Sequence, residues 1–344
     1  GRMIGELPNL GAPAGRVAVA AAAREGERWG RLSPAEHPRR VSACIEELSG
    51  ERALLALLLV WEIGKPYRQA LTEVDRTLDG VGWYIENIEP MLRGRSPLGL
   101  LAPVASWNYP LSVLFHSVMV QVMAGNAAIA KVPTRGGLHV LTLTFAAARP
   151  HGLAVSPVCG SGGSLGRALC EDDAVSGVVF VGGRENGLAL ARDLDGSKRT
   201  MIEMEGVNAY GVWEFSDWDT FRSHLSKGFE YGKQRCTAYT RFVVQRHLFP
   251  RFLEHYLATA RSLRVGNPLA VRDAGDELPD VHFGPLIDAA SVAELEARCE
   301  EAIDVALRQR ALRAGGLDHS RRHARRAGRG DERVGRGAGR HGGL

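Results

Sequence analysis

From residue 98 onward, short apolar runs alternate with longer segments of helical periodicity, and this alternation restricts the fold more than any other feature of the chain. The apolar runs are 99–105, 127–132, 153–158 and 178–181. Between them lie segments of helical spacing at about 110–124, 136–149 and 185–195. Strands that alternate with helices form parallel βαβ units, so we predict a doubly wound α/β sheet that binds ligands at the carboxyl ends of its strands. A further strand pair is expected at 200–204 and 209–213.

The residues before this region are predicted to be helical. Ser33-Pro34-Ala35-Glu36 has the composition of a capping box, which marks the start of a helix. A second helix is expected over about 51–62, stopping at Gly64. A third is expected over about 67–88, ending at Pro90 because proline does not continue a helix.

Cysteine content and hydropathy exclude two classes of protein. Five cysteines in 344 residues are too few, and odd in number, for a disulfide scaffold. The stretch 111–130 is long enough to span a bilayer, but His116, Gln121 and Asn126 interrupt it, so we interpret it as a buried helix that enters a strand. No membrane partner and no metal site are predicted. Because no secretory signal opens the chain, we expect a cytoplasmic protein.

The basic charge is concentrated in the C-terminal tail. Residues 308–344 contain eleven Arg, nine Gly and only three acidic residues, whereas the whole chain carries a formal net charge of +4. With few large apolar side chains, the tail is expected to be disordered. It has no aromatic residue between its basic ones, so a nucleic-acid partner is not expected. The composition changes abruptly near Val305, as a shifted reading frame in a GC-rich gene would produce.

Two glycine-rich segments are weak indications of a nucleotide site. The segment 160–166 misses the spacing of a dinucleotide fingerprint by one residue. Gly182 and Gly187 lack the Lys-Ser/Thr of a phosphate loop. They follow the apolar run that ends at Val181 and open a predicted helix, where free backbone N–H groups favour a phosphate. Either segment alone is more typical of a tight turn.

Four separated segments together resemble the aldehyde dehydrogenase superfamily. They are Ser106-Trp107-Asn108-Tyr109-Pro110-Leu111, Phe180-Val181-Gly182-Gly183, Ile202-Glu203-Met204-Glu205-Gly206 and Gln234-Arg235-Cys236-Thr237-Ala238. Shorter matches include Glu62-Ile63-Gly64-Lys65-Pro66 and Glu73-Val74-Asp75-Arg76. The resemblance covers about residues 15–305. It implies an aldehyde-dehydrogenase-like fold, with a helical N-terminal region and dinucleotide-binding domain over 1–211, an incomplete second α/β catalytic domain over 212–307, and the tail over 308–344.

The resemblance also implies a reaction, the oxidation of an aldehyde to a carboxylic acid with NAD(P)+. Cys236 matches the nucleophile that forms a thiohemiacetal and then a thioester. Asn108 matches the donor to the oxyanion, and Glu203 matches the general base that activates water. Each residue has an alternative interpretation. Cys236 could be a packing residue, Asn108 could be a turn residue, and the neighbouring Glu205 competes with Glu203 for the role of general base.

For the cofactor, the resemblance implies NAD or NADP. The matching positions are Trp107, Lys131, Thr134, Gly182, Gly183 and Gly187. Lys131 matches a lysine that contacts the adenosine ribose. Thr134 stands where many NAD-preferring members carry glutamate, and the loss of that carboxylate removes repulsion toward a 2′-phosphate, so we expect NADP to be tolerated.

The sequence also departs from the family. Gly183 replaces a serine, Glu205 a glycine, Val207 a lysine and Lys233 a glycine. The family's later Glu-x-Phe-Gly-Pro segment, its C-terminal catalytic portion and its oligomerisation strand have no counterpart, so we interpret the chain as a truncated or frame-shifted member. A homo-oligomer is possible for full-length relatives, but we do not expect one for this chain.

Two other functions stay open at the level of sequence. The first is an acyl-thioester reductase that uses coenzyme A, against which Glu203 argues because such an enzyme needs no water-activating base. The second is a catalytically inactive relative that only binds the dinucleotide. The sequence does not identify the aldehyde.

Overall fold

The computed structural model describes residues 5–194, 196, 198–214, 217–273 and 275–327. The chain divides into two compact units, residues 1–287 and 288–344. The helices described in the first unit are α1 (Ala12–Gly30), α2 (Glu36–Gly50), α3 (Arg52–Ile63), α4 (Tyr67–Leu92), α5 (His116–Met123), α6 (Leu138–Ala148), α7 (Arg167–Glu171), α8 (Arg184–Leu194), α9 (Trp218–Phe229) and α10 (Phe249–Ser262). Its strands are β1 (Leu100–Ala105), β2 (Ala127–Val132), β3 (Val155–Cys159), β4 (Val175–Val181), β5 (Arg199–Glu203), β6 (Asn208–Val212) and β7 (Tyr239–Val244).

The first five strands form one parallel sheet in the order β3-β2-β1-β4-β5. This confirms the predicted doubly wound parallel sheet. The chain starts at the centre with β1, moves outward through β2 and β3, and then returns to β4 on the other side. The strand order therefore reverses between β1 and β4, which is the position where such sheets bind ligands. All six residues of β2 are buried, as expected for a parallel strand covered on both faces.

The helix ends follow the sequence signals only in part. Helix α3 stops at Gly64, whose φ of 64° is left-handed, as predicted. The capping box does not form: α2 begins after Ala35 without a side-chain cap, and Ser33 instead accepts the Glu36 N–H through its backbone carbonyl. Helix α4 continues past Pro90 to Leu92. Pro90 is exposed in the last turn, where water can bond the carbonyl that its missing N–H leaves free.

A second, small parallel sheet consists of β6 and β7. It has its own apolar cluster, which includes Val212 of β6, Phe221 of α9 and Phe252 of α10. The expected strand pair at 200–204 and 209–213 was wrong in its pairing, since β5 extends the large sheet and β6 pairs with β7. Strands so close in sequence could pair only as an antiparallel hairpin, and the intervening segment instead carries the chain from one sheet to the other.

The second unit is described as one long helix, α11 (Ala289–Ala327). Disorder was expected over 308–344, but residues 308–327 continue this helix, consistent with the high helix propensity of alanine, leucine and arginine. Residues 328–344 lie outside the described residues. Both sheets fall within the first unit, and the domain boundaries at 211 and 307 stay predictions. Across the described residues, no helix combines the length and the apolar character that a bilayer span needs.

Candidate active site

The loop that follows β1 and the loop that carries Cys236 meet through a hydrogen bond. Asn108 donates its side-chain Nδ2 to the backbone carbonyl of Gln234 at 2.9 Å. The Ser106 hydroxyl donates to the side-chain oxygen of Asn108 at 2.7 Å, so the amide is held in one orientation. Cys236 lies two residues after Gln234, on an exposed turn. Two of the three predicted catalytic residues therefore lie on loops in direct contact.

Glu203 is the last residue of β5 and is exposed at the carboxyl end of the large sheet. Its backbone carbonyl accepts the Gly182 N–H at 3.1 Å, which fixes the strand end beside the loop after β4. A cavity of about 180 Å³ lies beside Glu203, and the hydroxyl-bearing Ser112 and Ser117 contribute to its walls. The carboxylate thus borders a space that water or a small ligand can enter.

The segment that follows Glu203 packs against the cysteine loop. A Cβ on Gly206 would lie only 1.9 Å from the carbonyl oxygen of Cys236, so no larger residue fits without movement of the backbone. Asn208 donates its side-chain amide to the same oxygen at 2.5 Å and to the Ala238 carbonyl at 3.0 Å. The three predicted catalytic residues therefore lie on segments that touch one another through Cys236 and Gln234.

A left-handed turn precedes the cysteine. Tyr231, Gly232 and Lys233 have φ values of 57°, 60° and 60°. For a non-glycine residue this conformation costs about 1–2 kcal/mol, and both Tyr231 and Lys233 bear that cost. The ammonium of Lys233 donates to the Tyr239 carbonyl at 2.8 Å, which ties the turn to β7. Burial lowers the pKa of Lys233, and the nearby charge of Arg235 lowers it further.

A larger cavity of about 640 Å³ opens at the carboxyl ends of β1, β2 and β4. Its volume is typical of small-molecule sites. Five of the six predicted cofactor positions line it: Trp107, Lys131, Thr134, Gly182 and Gly183. Gly187 does not line the cavity. A Cβ there would lie 2.7 Å from Met204 and 3.2 Å from Phe180, so the structure gives this glycine a packing role inside α8.

Charged groups lie both in the wall of this cavity and next to it. Lys131 is buried, and its ammonium donates to the Val132 carbonyl at 3.2 Å. Burial lowers the pKa of Lys131. Thr134 is exposed at the rim. Beside the loop after β4, the Glu205 carboxylate accepts the first backbone N–H of α8, that of Arg184, at 3.5 Å, so an acidic group already lies where the helix would favour an anion.

Sequence reasoning gave no role to two residues that the structure places next to this site, Lys65 and Glu73. Both are completely buried and form an ion pair. The sequence contained a signal for Glu73, because it falls on the same helical face as the apolar residues Ala70 and Val74, where an unpaired carboxylate would be costly. Among the described residues, no three His, Cys, Asp or Glu side chains are grouped as metal ligands.

Comparison with known sequences gives one family. A sequence model described as the aldehyde dehydrogenase family matches residues 1–323. The succinate semialdehyde dehydrogenase of Acinetobacter baylyi is 26% identical over 320 residues, an alignment that covers 88% of this chain and 64% of that protein. The NADP-dependent glyceraldehyde-3-phosphate dehydrogenase of Apium graveolens is 30% identical over 259 residues, covering 68% of this chain and 51% of that protein.

Solved structures agree with this sheet and its helices. The glyceraldehyde-3-phosphate dehydrogenase GapN of Methanocaldococcus jannaschii, complexed with NADP, has a TM-score of 0.78 at 22% identity and covers 88% of this chain and 69% of its own. The betaine aldehyde dehydrogenase of Staphylococcus aureus, in complex with NAD+, has a TM-score of 0.78 at 18% identity over 87% and 62% of the two chains. At these identities the likeness shows the fold.

The chain spans about two thirds of the length of the curated relatives it matches. The family model nonetheless extends over both sheets and over every segment that carries the candidate site. On the match over residues 1–323, the chain belongs to the aldehyde dehydrogenase family.

Proposed function

We propose that this chain oxidises an aldehyde to a carboxylic acid with NAD or NADP, through a covalent intermediate on Cys236. The observation that carries the proposal is the contact between three segments: the Asn108 loop, the Cys236 loop, and the connection that leads from Glu203 to Asn208. Family membership supports the reaction type. The exposed position of Cys236 leaves its sulfur accessible to a substrate.

The first half of the reaction needs a nucleophile and a donor. The Cys236 thiolate adds to the aldehyde carbon, a C–S bond forms, and the carbonyl oxygen becomes an oxyanion. The side-chain amide of Asn108 has two N–H groups, of which one is bonded to Gln234. The second can donate to the oxyanion, and Ser106 holds the amide in place for it. A nicotinamide bound in the larger cavity would supply the acceptor for the hydride that then leaves the carbon.

The second half is hydrolysis of the thioester. Glu203 takes a proton from water, the hydroxide adds to the acyl carbon, and the C–S bond breaks to give the acid and the free Cys236 thiolate. Glu203 is exposed beside the cavity of about 180 Å³, which leaves room for that water. The contact of Glu205 with the Arg184 N–H at the start of α8 favours Glu203 over Glu205 as the base.

The larger cavity supports a dinucleotide as the cofactor. Lys131 and Trp107 form part of its wall, and Gly182 and Gly183 lead into the N-terminus of α8, an arrangement suited to a ribose and a pyrophosphate. Glu205 at the same helix end would weaken the pyrophosphate contact by repulsion. We therefore expect a cofactor affinity below that of a site with glycine at this position.

The choice between NAD and NADP depends on Thr134. We expect Thr134→Glu to weaken NADP binding about tenfold relative to NAD binding, because a carboxylate beside a 2′-phosphate is repelled. The neutral variant Thr134→Gln, which is equally long, is expected to leave the ratio near that of the wild type. Fluorescence titration with both cofactors measures the two dissociation constants, and an unchanged ratio in Thr134→Glu would contradict the assignment.

The reaction itself is tested on the cysteine. Cys236→Ala is expected to abolish aldehyde-dependent formation of NAD(P)H, because no other group forms the thiohemiacetal, while the dissociation constant of the cofactor stays within about twofold of the wild type. Cys299→Ala removes the other exposed cysteine and serves as the matched control. Activity that persists in Cys236→Ala refutes the covalent mechanism, and turnover that requires coenzyme A points to the acyl-thioester reductase instead.

A further inference from the structure

A buried ion pair lies directly behind the candidate active site. Lys65 follows the end of α3, Glu73 lies on α4, and both side chains are 0% exposed. Taking two opposite charges out of water costs several kcal/mol per ion, and their mutual attraction offsets this only when hydrogen bonds satisfy both groups. The contacts of the pair therefore indicate what it holds together.

The ammonium of Lys65 contacts both loops of the site. It donates to the Glu73 carboxylate and, at 2.9 Å, to the backbone carbonyl of Asn108. It also lies 3.6 Å from the ring centre of Tyr109, which follows Asn108, and 4.7 Å from that of Tyr231, which begins the turn before the cysteine. Cation–π contacts of desolvated ammonium groups are stronger than those at the surface. Burial lowers the pKa of Lys65, and Glu73 opposes this effect.

The carboxylate of Glu73 holds the other end of the Asn108 loop. Its Oε1 accepts the backbone N–H of Leu111 at 3.1 Å and, more weakly, that of Ser112 at 3.4 Å. These two N–H groups belong to the π-helical turn Pro110–Phe115, which leads into α5, so Glu73 acts as its cap from a different helix. The ion pair thus holds the Asn108 loop at two points. Lys65 bonds the carbonyl of Asn108, and Glu73 bonds the turn that follows it.

Tyr231 links the same pair to the cysteine loop. Its ring is fully buried, and its hydroxyl donates to the carbonyl of Ile63, two residues before Lys65. Its backbone carbonyl accepts from both the N–H and the side chain of Gln234, at 3.1 and 3.2 Å. The backbone carbonyl of Gln234 in turn accepts a hydrogen bond from the side-chain amide of Asn108. The left-handed backbone of Tyr231 is a strained conformation that persists because these contacts over-determine it.

We propose that Lys65, together with Glu73, is a positioning residue that sets the distance between the Asn108 amide and the Cys236 loop. The inference rests on the proposed function for its effect on rate, and on the contacts alone for its effect on structure. Neither residue touches the reacting atoms. Loss of the ammonium releases the Asn108 carbonyl and the Tyr231 ring together, so both loops become mobile at once.

The structural test compares this buried pair with an exposed pair that links α3 to α4. Lys65→Met removes the charge and keeps much of the volume. Arg52→Met is the matched control, because Arg52 on α3 and Asp75 on α4 form an exposed bidentate ion pair. Hydrogen exchange followed by mass spectrometry reports on the amides of residues 108, 109, 111 and 112 and of 231–236. We expect Lys65→Met to exchange about tenfold faster in both segments and Arg52→Met to exchange like the wild type.

Two further readouts separate positioning from general destabilisation. The rate at which iodoacetamide alkylates Cys236 is expected to change in Lys65→Met but not in Arg52→Met. In the aldehyde assay, kcat is expected to fall about 100-fold with the cofactor dissociation constant within about twofold of the wild type, because misalignment affects the transition state. A wild type without aldehyde activity would refute the proposed function and leave the exchange and alkylation comparisons intact.

Two outcomes overturn the inference. One is unchanged exchange in a folded Lys65→Met protein, and the other is a change confined to one of the two segments. If Lys65→Met does not fold, the double variant Lys65→Met/Glu73→Met decides by the same comparison, since it leaves no unpaired buried charge. Faster exchange in both segments of that variant supports the inference, and wild-type exchange in either one refutes it.

Discussion

The close approach of Gly206 to the cysteine loop leads to a quantitative prediction. In Gly206→Ala the added Cβ would lie 1.9 Å from the Cys236 carbonyl oxygen and 2.7 Å from the Asn208 amide nitrogen. Ordinary carbon–oxygen contacts begin at about 3.3 Å, so the loop or the segment must move by about 1.4 Å. A misplacement of about 1 Å costs about 100-fold in rate, whereas overpacking costs about 1–3 kcal/mol of folding stability. We expect kcat/KM to fall at least about 100-fold in a protein that still folds.

Three measurements check this prediction. They are steady-state aldehyde oxidation, urea unfolding, and alkylation of Cys236, which reports on the loop even without turnover. Gly211→Ala is the control, because Gly211 lies in β6 and, apart from its two chain neighbours, no described residue has an atom within 4 Å of its added Cβ; it is expected to behave like the wild type. Wild-type kcat/KM and wild-type stability in Gly206→Ala would refute the idea that the two segments are locked together at this point.

Two further predictions concern burial and charge. Iodoacetamide is expected to label Cys236 but not Cys44 in the folded protein, because burial raises the pKa of the Cys44 thiol to about 12. Peptide mass mapping before and after denaturation measures the labelling of each cysteine. Labelling of Cys44 in the native protein would contradict the prediction. The hydrogen bonds that Arg52 donates to the Asp75 carboxylate lower the pKa of Asp75 below its ordinary value. The bonds therefore stabilise the folded protein fully at any pH above the ordinary pKa, and this stabilisation is lost as the pH falls through the lowered pKa. Arg52→Met is therefore expected to lower Tm by at most a few degrees at neutral pH, and thermal unfolding curves should show this difference shrinking once the pH falls below the lowered pKa of Asp75. A difference that persists unchanged in acid would show that packing is responsible.

The centre of the sheet was largely predictable because β1 and β2 are buried on both faces. Strand β2 was predicted with its observed bounds, since five of its six residues are apolar and all six are buried. Strand β4 begins at Val175, three residues earlier than predicted, because Ser176 and Gly177 interrupt the apolar run although the backbone there already pairs with β1. Backbone pairing depends on a neighbouring strand, and a run of side chains does not reveal it.

The π-helical turn Pro110–Phe115 shows a second limit. Local spacing predicted one continuous helix over about 110–124, but its first turn is widened where Leu111 and Ser112 bond to Glu73 on another helix. Lys65 was beyond reach for the same reason, because its partner Asn108 lies 43 residues away. The roles of Asn108, Glu203 and Cys236 came from motif order alone and stay predictions, although their segments are in contact. Tertiary contacts decided what local patterns could not.

The position of β1 has a consequence for how this protein reaches its native state. The central strand pairs on one side with β2, which is close in sequence, but on the other side Leu100 must meet Val175, which is synthesised about 75 residues later. Closing such a loop is slow, and until it closes one edge of β1 offers unpaired backbone groups and apolar side chains to other chains. Expression at low temperature or with chaperones should therefore raise the yield of monodisperse protein, since the vulnerable period lies between synthesis of β1 and docking of β4.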